Sequence, residues 1–366
     1  LFDQHIKVVL PELFLSVTLL GLLVYGLFLK PSLQPAESVI TVNWLSIYAL
    51  FLTFALLINN AVGRTTVFHD LLIHDPLTTL LKGFVLMGAF ASLLISLQYF
   101  QAERLYAFEY SILVLLATDA LLLLVSAYDL LSIYMAIELQ ALSLYVLAAS
   151  KRNSEFSTEA ALKYFILGAF SSALFLFGSS ILYGLTGMTN LGDLVSFFLL
   201  FDAVNITAML ALIFIASAFF FKLAVVPFHM WAPDVYEGAP TSVTAFFAIT
   251  PKVAIFFVLF RVYFSTFYAF SQTWSSLLVG LSMASMLLAA FAALYQSKIK
   301  RLLAYSAVGH VGYMLVGVAT GTGEGLQALL AYAFIYMVTT IALFAVVLAL
   351  TDRNGVAVKY ITDLAG

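Results

Sequence analysis

Hydrophobic residues in this chain neither alternate with polar ones nor recur every three to four residues. They come in long blocks separated by short polar connections. A bilayer core of ~30 Å is crossed by ~20 residues of helix, because backbone facing lipid must satisfy its hydrogen bonds within its own segment. Eleven blocks reach that length: Val8–Leu29, Val39–Ile58, Leu77–Leu97, Phe108–Ala127, Leu130–Ala149, Ala160–Leu185, Ile206–Pro227, Thr241–Phe264, Ser275–Leu294, Leu302–Thr320 and Gly325–Leu350. None is bounded by a long polar stretch. The expectation is an all-α, polytopic membrane helix bundle forming one membrane domain over residues 1–366. Two connections are longer than the rest, Asn59–Pro76 and Thr186–Asn205. The second carries Leu191, Leu194, Val195, Phe198 and Leu199 on one side, which predicts a short amphipathic helix in the membrane interface.

Composition sharpens this picture. Apolar residues make up 63% of the 366 and charged residues 10%, against ~25% charged in a soluble domain. Mean hydropathy is +1.07. The 16 basic residues form no patch that would meet phosphates, which excludes nucleic acid as the main partner. With no cysteine, the chain has no disulfide, Cys-ligated zinc or cluster of its own. The first apolar block is too long for a cleavable signal peptide, and a start at Leu1 instead of Met leads us to expect a longer translation product. Basic residues set the orientation. Lys30, Arg104, Lys151, Arg152, Lys298, Lys300, Arg301, Arg353 and Lys359 follow odd-numbered blocks; only Lys7, Arg64 and Arg261 fall on the other side. The N-terminus is therefore expected outside.

Ionisable residues inside the blocks carry the candidate chemistry. A charge at the bilayer centre costs at least ~2.5–3.5 kcal/mol. Asp119, Glu138, Lys222, Lys252 and His310 lie at that depth. Pro227 and Pro251 sit near the two central lysines and are expected to break their helices, freeing the Leu223 and Phe247 carbonyls. Charges at helix breaks are how transporters place ion sites at the midplane, so the pattern predicts a proton path. Each residue also has a structural reading. Lys82 and Lys163 lie near helix starts and can snorkel, which we favour for Lys82. His310 is either a packed neutral imidazole between Gly309 and Gly312 or a relay with the Tyr305 and Ser306 hydroxyls; Asp119 is read as a protonated, inert acid. Facing histidine pairs for haem are absent, and Gly321–Gly325 reads as a turn, not a phosphate loop. The 34 Phe and 19 Tyr read as lipid-facing bulk and interface belt.

Several segments together resemble one family. Ala136-Ile137-Glu138-Leu139-Gln140 with Leu144–Arg152 resembles the fifth helix of the antiporter-like membrane subunits of NADH:ubiquinone oxidoreductase, respiratory complex I. Phe221–Asp234 followed by Tyr236-Glu237-Gly238 resembles the seventh, Pro251-Lys252 the eighth, and Lys300–Ser306 with Gly309–Tyr313 the tenth. The stretch Ser154–Ala160 looks like the mitochondrial form of the family's subunit-2 branch. The resemblance runs from about Pro11 onward.

The resemblance implies a proton path through Glu138, Lys222, Lys252 and His310, with Lys163 as a basic position on the sixth helix. It implies three N-terminal helices over 8–97, a five-helix repeat over 108–264, and the start of a second, inverted repeat over 275–350. That repeat is truncated: the sequence stops just before the family's broken twelfth helix. Either it is a fragment or a second polypeptide completes the repeat. In the implied mechanism Glu138 holds a proton on Lys222; when Glu138 moves away the proton passes to Lys252 through bound water. The driving force is implied to come from flavin and iron–sulfur partner subunits, no cofactor being expected in this chain. Other membrane-arm subunits and lipids are the implied partners, in the mitochondrial inner membrane or, alternatively, a bacterial plasma membrane. The competing readings are a subunit of a sodium–proton antiporter or membrane hydrogenase, and a non-pumping structural subunit; Asp119, absent from the family's usual fourth helix, favours the latter.

Overall fold

A computed structural model of the chain describes residues 2–29, 35–59, 63–102, 107–200, 206–350 and 358–364. The helices are α1 (Phe2–Val8), α2 (Leu10–Phe28), α3 (Pro35–Asn59), α4 (Pro76–Ala102), α5 (Glu109–Ser126), α6 (Leu130–Ala148), α7 (Glu155–Thr186), α8 (Leu191–Leu200), α9 (Ile206–Leu223), α10 (Trp231–Gly238), α11 (Thr241–Arg261), α12 (Ser271–Leu294), α13 (Ile299–Ala319) and α14 (Gly323–Ala349). Eleven are long and apolar enough to cross a membrane: α2 to α7, α9 and α11 to α14. Lys30, Arg104 and Arg353, counted above for orientation, lie outside the described residues.

Helix boundaries depart from the apolar blocks where polar residues continue a helix. Ser154 precedes α7, which starts at Glu155 although its apolar block begins only at Ala160. The larger departure is at α9. It stops at Leu223 because Ala224 takes φ +61°, outside the helical region, and the Val225 N–H reaches back to the Phe220 carbonyl at 2.9 Å. Pro227, joined by a cis peptide to Val226, therefore lies in the turn beyond the helix and frees no helical carbonyl. The expected break is real, but Ala224 makes it. Pro251, by contrast, sits inside α11 as expected.

Helix α11 organises the bundle. It is buried from Ser242 to Phe260 and packs against α4, α5, α9 and α14, with α6, α10 and α13 completing the surround. Much of its buried surface is Phe, and Tyr236, Tyr263, Phe267 and Phe270 are buried nearby. The aromatic residues are thus core as well as lipid-facing bulk. Composition cannot separate the two, since lipid and protein interior are equally apolar.

One end of the bundle is stitched by backbone hydrogen bonds. A hairpin that an all-α reading did not anticipate, β1 (Thr65–Val67) and β2 (Leu72–His74), pairs Thr66 with Ile73. The Tyr128 N–H between α5 and α6 donates to its Leu71 carbonyl at 2.9 Å, and Asn190 donates to Asp70. Asp129 caps α6 by accepting from Leu131 N–H and from the Thr189 hydroxyl. The predicted amphipathic segment is helix α8, burying Leu191, Leu194 and Phe198 but leaving Leu199 exposed.

The opposite end is held by charge. Around a cavity of about 730 Å³, Lys163 pairs with Glu159 (2.8 Å) and Asp234 (3.0 Å), Arg301 with Asp234 (3.3 Å) and Glu237 (3.0 Å), and Lys298 with Glu237. These pairs tie α7, α10 and α13 together. Burial disfavours the Glu237 charge, yet Lys298 and Arg301 hold its carboxyl below the usual carboxylate range.

Close helix contacts generate a first expectation. A Cβ on Gly178 of α7 would lie 2.7 Å from the Ala211 carbonyl of α9, and backbone cannot swing aside. Gly178→Ala is expected to cost about 1–3 kcal/mol, read as a lower thermal midpoint of the purified protein. Gly184→Ala, whose Cβ meets nothing within 4 Å, should show no such fall. For Glu237 the sign follows from linkage: a depressed folded pKa stabilises above the unfolded pKa, and the gain is lost as pH falls through the folded one. Glu237→Gln should therefore lower the thermal midpoint at neutral pH, with the gap to wild type closing on acidification. A gap that ignores pH would mean Glu237 contributes packing alone.

Candidate functional site

The break after α9 fixes the position of Lys222. The Trp231 Nε1–H donates to the Phe221 carbonyl (2.7 Å), which also accepts from the Ala224 N–H (3.0 Å), so the last turn of α9 is tied to α10. The Val226 N–H donates to Ser285 on α12 (3.1 Å). Lys222 is thereby held at 5% exposure with its Nζ 5.8 Å from the centre of the Tyr145 ring. Glu138, midway along α6, lies within electrostatic reach of Lys222. Neither Lys222 Nζ nor Glu138 Oε1 has a hydrogen-bond partner among the described residues.

Lys252 sits midway along α11, directly after Pro251, at 2% exposure. Its Nζ lies 5.5 Å from the centre of the Tyr236 ring and also has no hydrogen-bond partner among the described residues. Pro251 has no N–H for the Phe247 carbonyl four residues back, the acceptor expected from the sequence. The next carbonyl, on Ala248, accepts from the Tyr336 hydroxyl at 2.9 Å.

Aromatic rings join the two lysines. Tyr145 meets Tyr164 edge-on (4.8 Å), Tyr164 stacks on Trp231 (4.6 Å), and Trp231 reaches Tyr236 (6.4 Å). The Tyr145 and Tyr236 hydroxyls are buried without a protein partner among the described residues. Beyond Lys252, His310 on α13 is within its electrostatic reach. His310 Nδ1 is hydrogen-bonded to the Tyr332 hydroxyl of α14 at 2.8 Å. That partner replaces the expected Tyr305 and Ser306. The tight packing expected around His310 is found at Gly312, where a Cβ would lie 2.8 Å from Met286 and 3.1 Å from the Ser282 carbonyl.

The bundle thus gathers Glu138, Lys222, Lys252 and His310, in that order, along a line of buried tyrosines. It does not bring Lys163 to them. Lys163 is 45% exposed and belongs to the charged cavity through Glu159 and Asp234. Asp119 lies elsewhere, hydrogen-bonded by Ser16 on α2. Lys82 overturns its expected snorkelling: at 2% exposure it is sealed inside the bundle and ion-paired with Glu12. Near its helix start it is enclosed by Glu12 of α2 and by buried His74 of the hairpin. Residues missed from sequence are Glu12, Tyr145, Tyr164, Trp231, Tyr236 and Tyr332. A usable signal existed for Glu12, an acid inside an apolar block, and for Tyr145, two helical turns after Glu138. Among the described residues no three His, Asp or Glu side chains are grouped to hold a metal ion.

Comparison with known proteins identifies the family of the chain. The membrane family described as NADH:quinone oxidoreductase/Mrp antiporter, TM, matches residues 127–366, the segment that carries all four residues of the line. NADH-ubiquinone oxidoreductase chain 2 of Marchantia polymorpha is 46% identical over 100% of this chain and 75% of its own length. NADH-quinone oxidoreductase subunit N of Rhodospirillum rubrum is 43% identical, over 98% of this chain and 72% of its own. Among solved structures, a chain of respiratory complex I from Thermus thermophilus with bound Aureothin superposes with a TM-score of 0.75 at 33% identity, covering 92% of this chain and 70% of that one. The chain therefore belongs to the NADH:quinone oxidoreductase/Mrp antiporter family of membrane proteins, in its chain 2 and subunit N branch.

Proposed function

We propose that this chain is a proton-translocating, antiporter-like membrane-arm subunit of respiratory complex I, a multi-pass protein of the mitochondrial inner membrane. The observation that carries the reading is the pair of buried lysines, Lys222 and Lys252. Each is fully enclosed, each lies over a tyrosine ring, and neither ammonium is satisfied by a protein acceptor among the described residues. A scaffold has no use for two such groups, because each costs several kcal/mol that Leu or Met would not.

In this reading Glu138 and Lys222 form the loading end. While Glu138 faces Lys222, the opposite charge retains a proton on the amine. Withdrawal of Glu138 removes that support, and the proton moves past the Tyr145–Tyr164–Trp231–Tyr236 rings, carried by water along the buried tyrosine hydroxyls, to Lys252. Arrival of positive charge at Lys252 acts on His310, whose bond to Tyr332 offers the next transfer. The charged cavity containing Lys163, Asp234 and Glu237 is the mouth through which protons reach the bundle. We further read the helices over 108–264 as one repeat, the helices over 275–350 as the start of its inverted counterpart, and the N-terminus as outside. Electron transfer belongs to partner subunits carrying flavin and iron–sulfur clusters, and the other membrane-arm subunits are the partners that transmit its energy here.

The test is proton pumping by the assembled complex in sealed vesicles, driven by NADH. Lys222→Ala and Lys252→Ala are each expected to cut proton transfer through this chain by about 10²-fold, the low end of what a positioned proton carrier contributes. Flavin and iron–sulfur content should stay intact in both. The proton-to-electron ratio falls with them, and with Glu138→Ala. An unchanged ratio in Lys222→Ala and Glu138→Ala overturns the proposal.

A further inference from the structure

Outside the lysine line, and before residue 127 where the family match begins, a second set of ionisable groups is sealed in the bundle. Glu12 of α2 and Lys82 of α4 are ion-paired at 3% and 2% exposure. Asp119 of α5, at 4% exposure, accepts a hydrogen bond from Ser16, one turn after Glu12 on the same helix. Glu12 and Asp119 lie within electrostatic reach of one another. One oxygen of each carboxyl, Glu12 Oε2 and Asp119 Oδ1, has no hydrogen-bond partner among the described residues. From the hairpin end His74, at 1% exposure, also faces Lys82 and Glu12; burial and then Lys82 disfavour its charged form, so it adds no charge, while the neighbouring Asp75 is engaged by Arg261 at 3.5 Å.

Counting charge in this enclosure gives a definite result. Two carboxylates and one ammonium leave one surplus negative charge in an apolar interior. A single serine hydroxyl does not replace the hydration that charge would need. A bound proton removes the surplus, since two carboxyls within electrostatic reach of each other beside one base do not both keep their charge. We propose that Glu12, Lys82 and Asp119 form a proton-binding site separate from the lysine line, with Lys82 and Glu12 as the ionised pair and Asp119 carrying the proton. The two oxygens without protein partners are the seats open to it. Loss of the proton sets a carboxylate on α5 against the Glu12 carboxylate on α2 beside the single ammonium of α4, which works against the packing of these helices. Occupancy of the site is thereby coupled to how the three N-terminal crossing helices pack on the rest. The inference does not rest on the pumping role of Lys222 and Lys252.

The carboxylic-acid C=O stretch in the infrared spectrum of the assembled complex tests it, with deuterium exchange to identify the band. Asp119→Asn should abolish one such band at neutral pH. Glu12→Gln should abolish it too, since one acid and one base then balance. Lys82→Gln should add a second band, since two carboxyls remain without a base. A band that persists in Glu12→Gln and does not grow in Lys82→Gln overturns the shared site and leaves Asp119 an isolated buried acid. The near-isosteric Asp119→Asn gives a second measurement that does not depend on the other two variants assembling. The native-minus-variant spectrum should show an acid band that converts to carboxylate as pH rises. A carboxylate at neutral pH, or an acid band displaced by sodium chloride at constant pH, overturns the proposal.

Discussion

Charge excluded from water is the constraint on which this molecule is built. A membrane interior offers no solvent for an ammonium or carboxylate, so each must be paired, given polar neighbours, or relieved by a proton. The chain applies three different solutions. Lys82 is paired outright with Glu12. Lys163 is left at the surface among acids. Among the described residues Lys222 and Lys252 have no ion-pair or hydrogen-bond partner, and they lie over aromatic faces with Glu138 near Lys222. A cation over a tyrosine ring gains on the order of 1–2 kcal/mol when desolvated, less than burial takes away. What distinguishes the central line is that its charges are held under-compensated.

Backbone irregularity is what makes that possible. A continuous α9 would carry its polypeptide straight through to the far side, and Trp231 could not fold back onto Phe221. Because the helix ends at Leu223, the short α10 returns to pack on α7 and α13, and Tyr236 and Glu237 leave it in different directions. Tyr236 approaches Lys252 while Glu237 joins the ion-pair cage. One eight-residue helix thus connects the buried line with the charged cavity. Non-helical backbone at this depth is tolerated because protein, not lipid, surrounds it.

Much of this was legible in the sequence, for reasons that also explain what was not. Hydropathy located all eleven crossings, since apolar length is the quantity a bilayer selects. Glu138, Lys222, Lys252 and His310 stood out because charge inside an apolar block is rare. The line they form was supplied by resemblance, and the bundle brings the same residues into sequence. The ranking of Lys82 over Lys163 as the lysine that snorkels is reversed in the fold, because each lies a few residues into its apolar block and position alone does not say what surrounds it. Lys82 is enclosed by Glu12 and the hairpin's His74, whereas Lys163 lines the charged cavity at the other end. Pro227 was a correct warning attached to the wrong atom: the left-handed turn at Ala224 has no sequence signature, being a conformation alanine rarely takes. The tyrosines between the lysines were hidden by their own abundance.

The two ends of the bundle rely on different balances of backbone hydrogen bonds and ion pairs. At the hairpin end, Tyr128 to Leu71, Leu191 to Tyr128 and Leu130 to Thr189 are backbone hydrogen bonds, indifferent to dissolved ions. At the cavity end, Lys163, Lys298 and Arg301 grip α7 and α10 through partly exposed ion pairs. Mobile ions screen such pairs within about 8 Å at physiological ionic strength. Ionic strength therefore weakens the cavity end more than the hairpin end, whose one ion pair among the described residues, Arg261 with Asp75, is more enclosed. This asymmetry gives the bundle a polarity independent of the direction in which any charge moves through it.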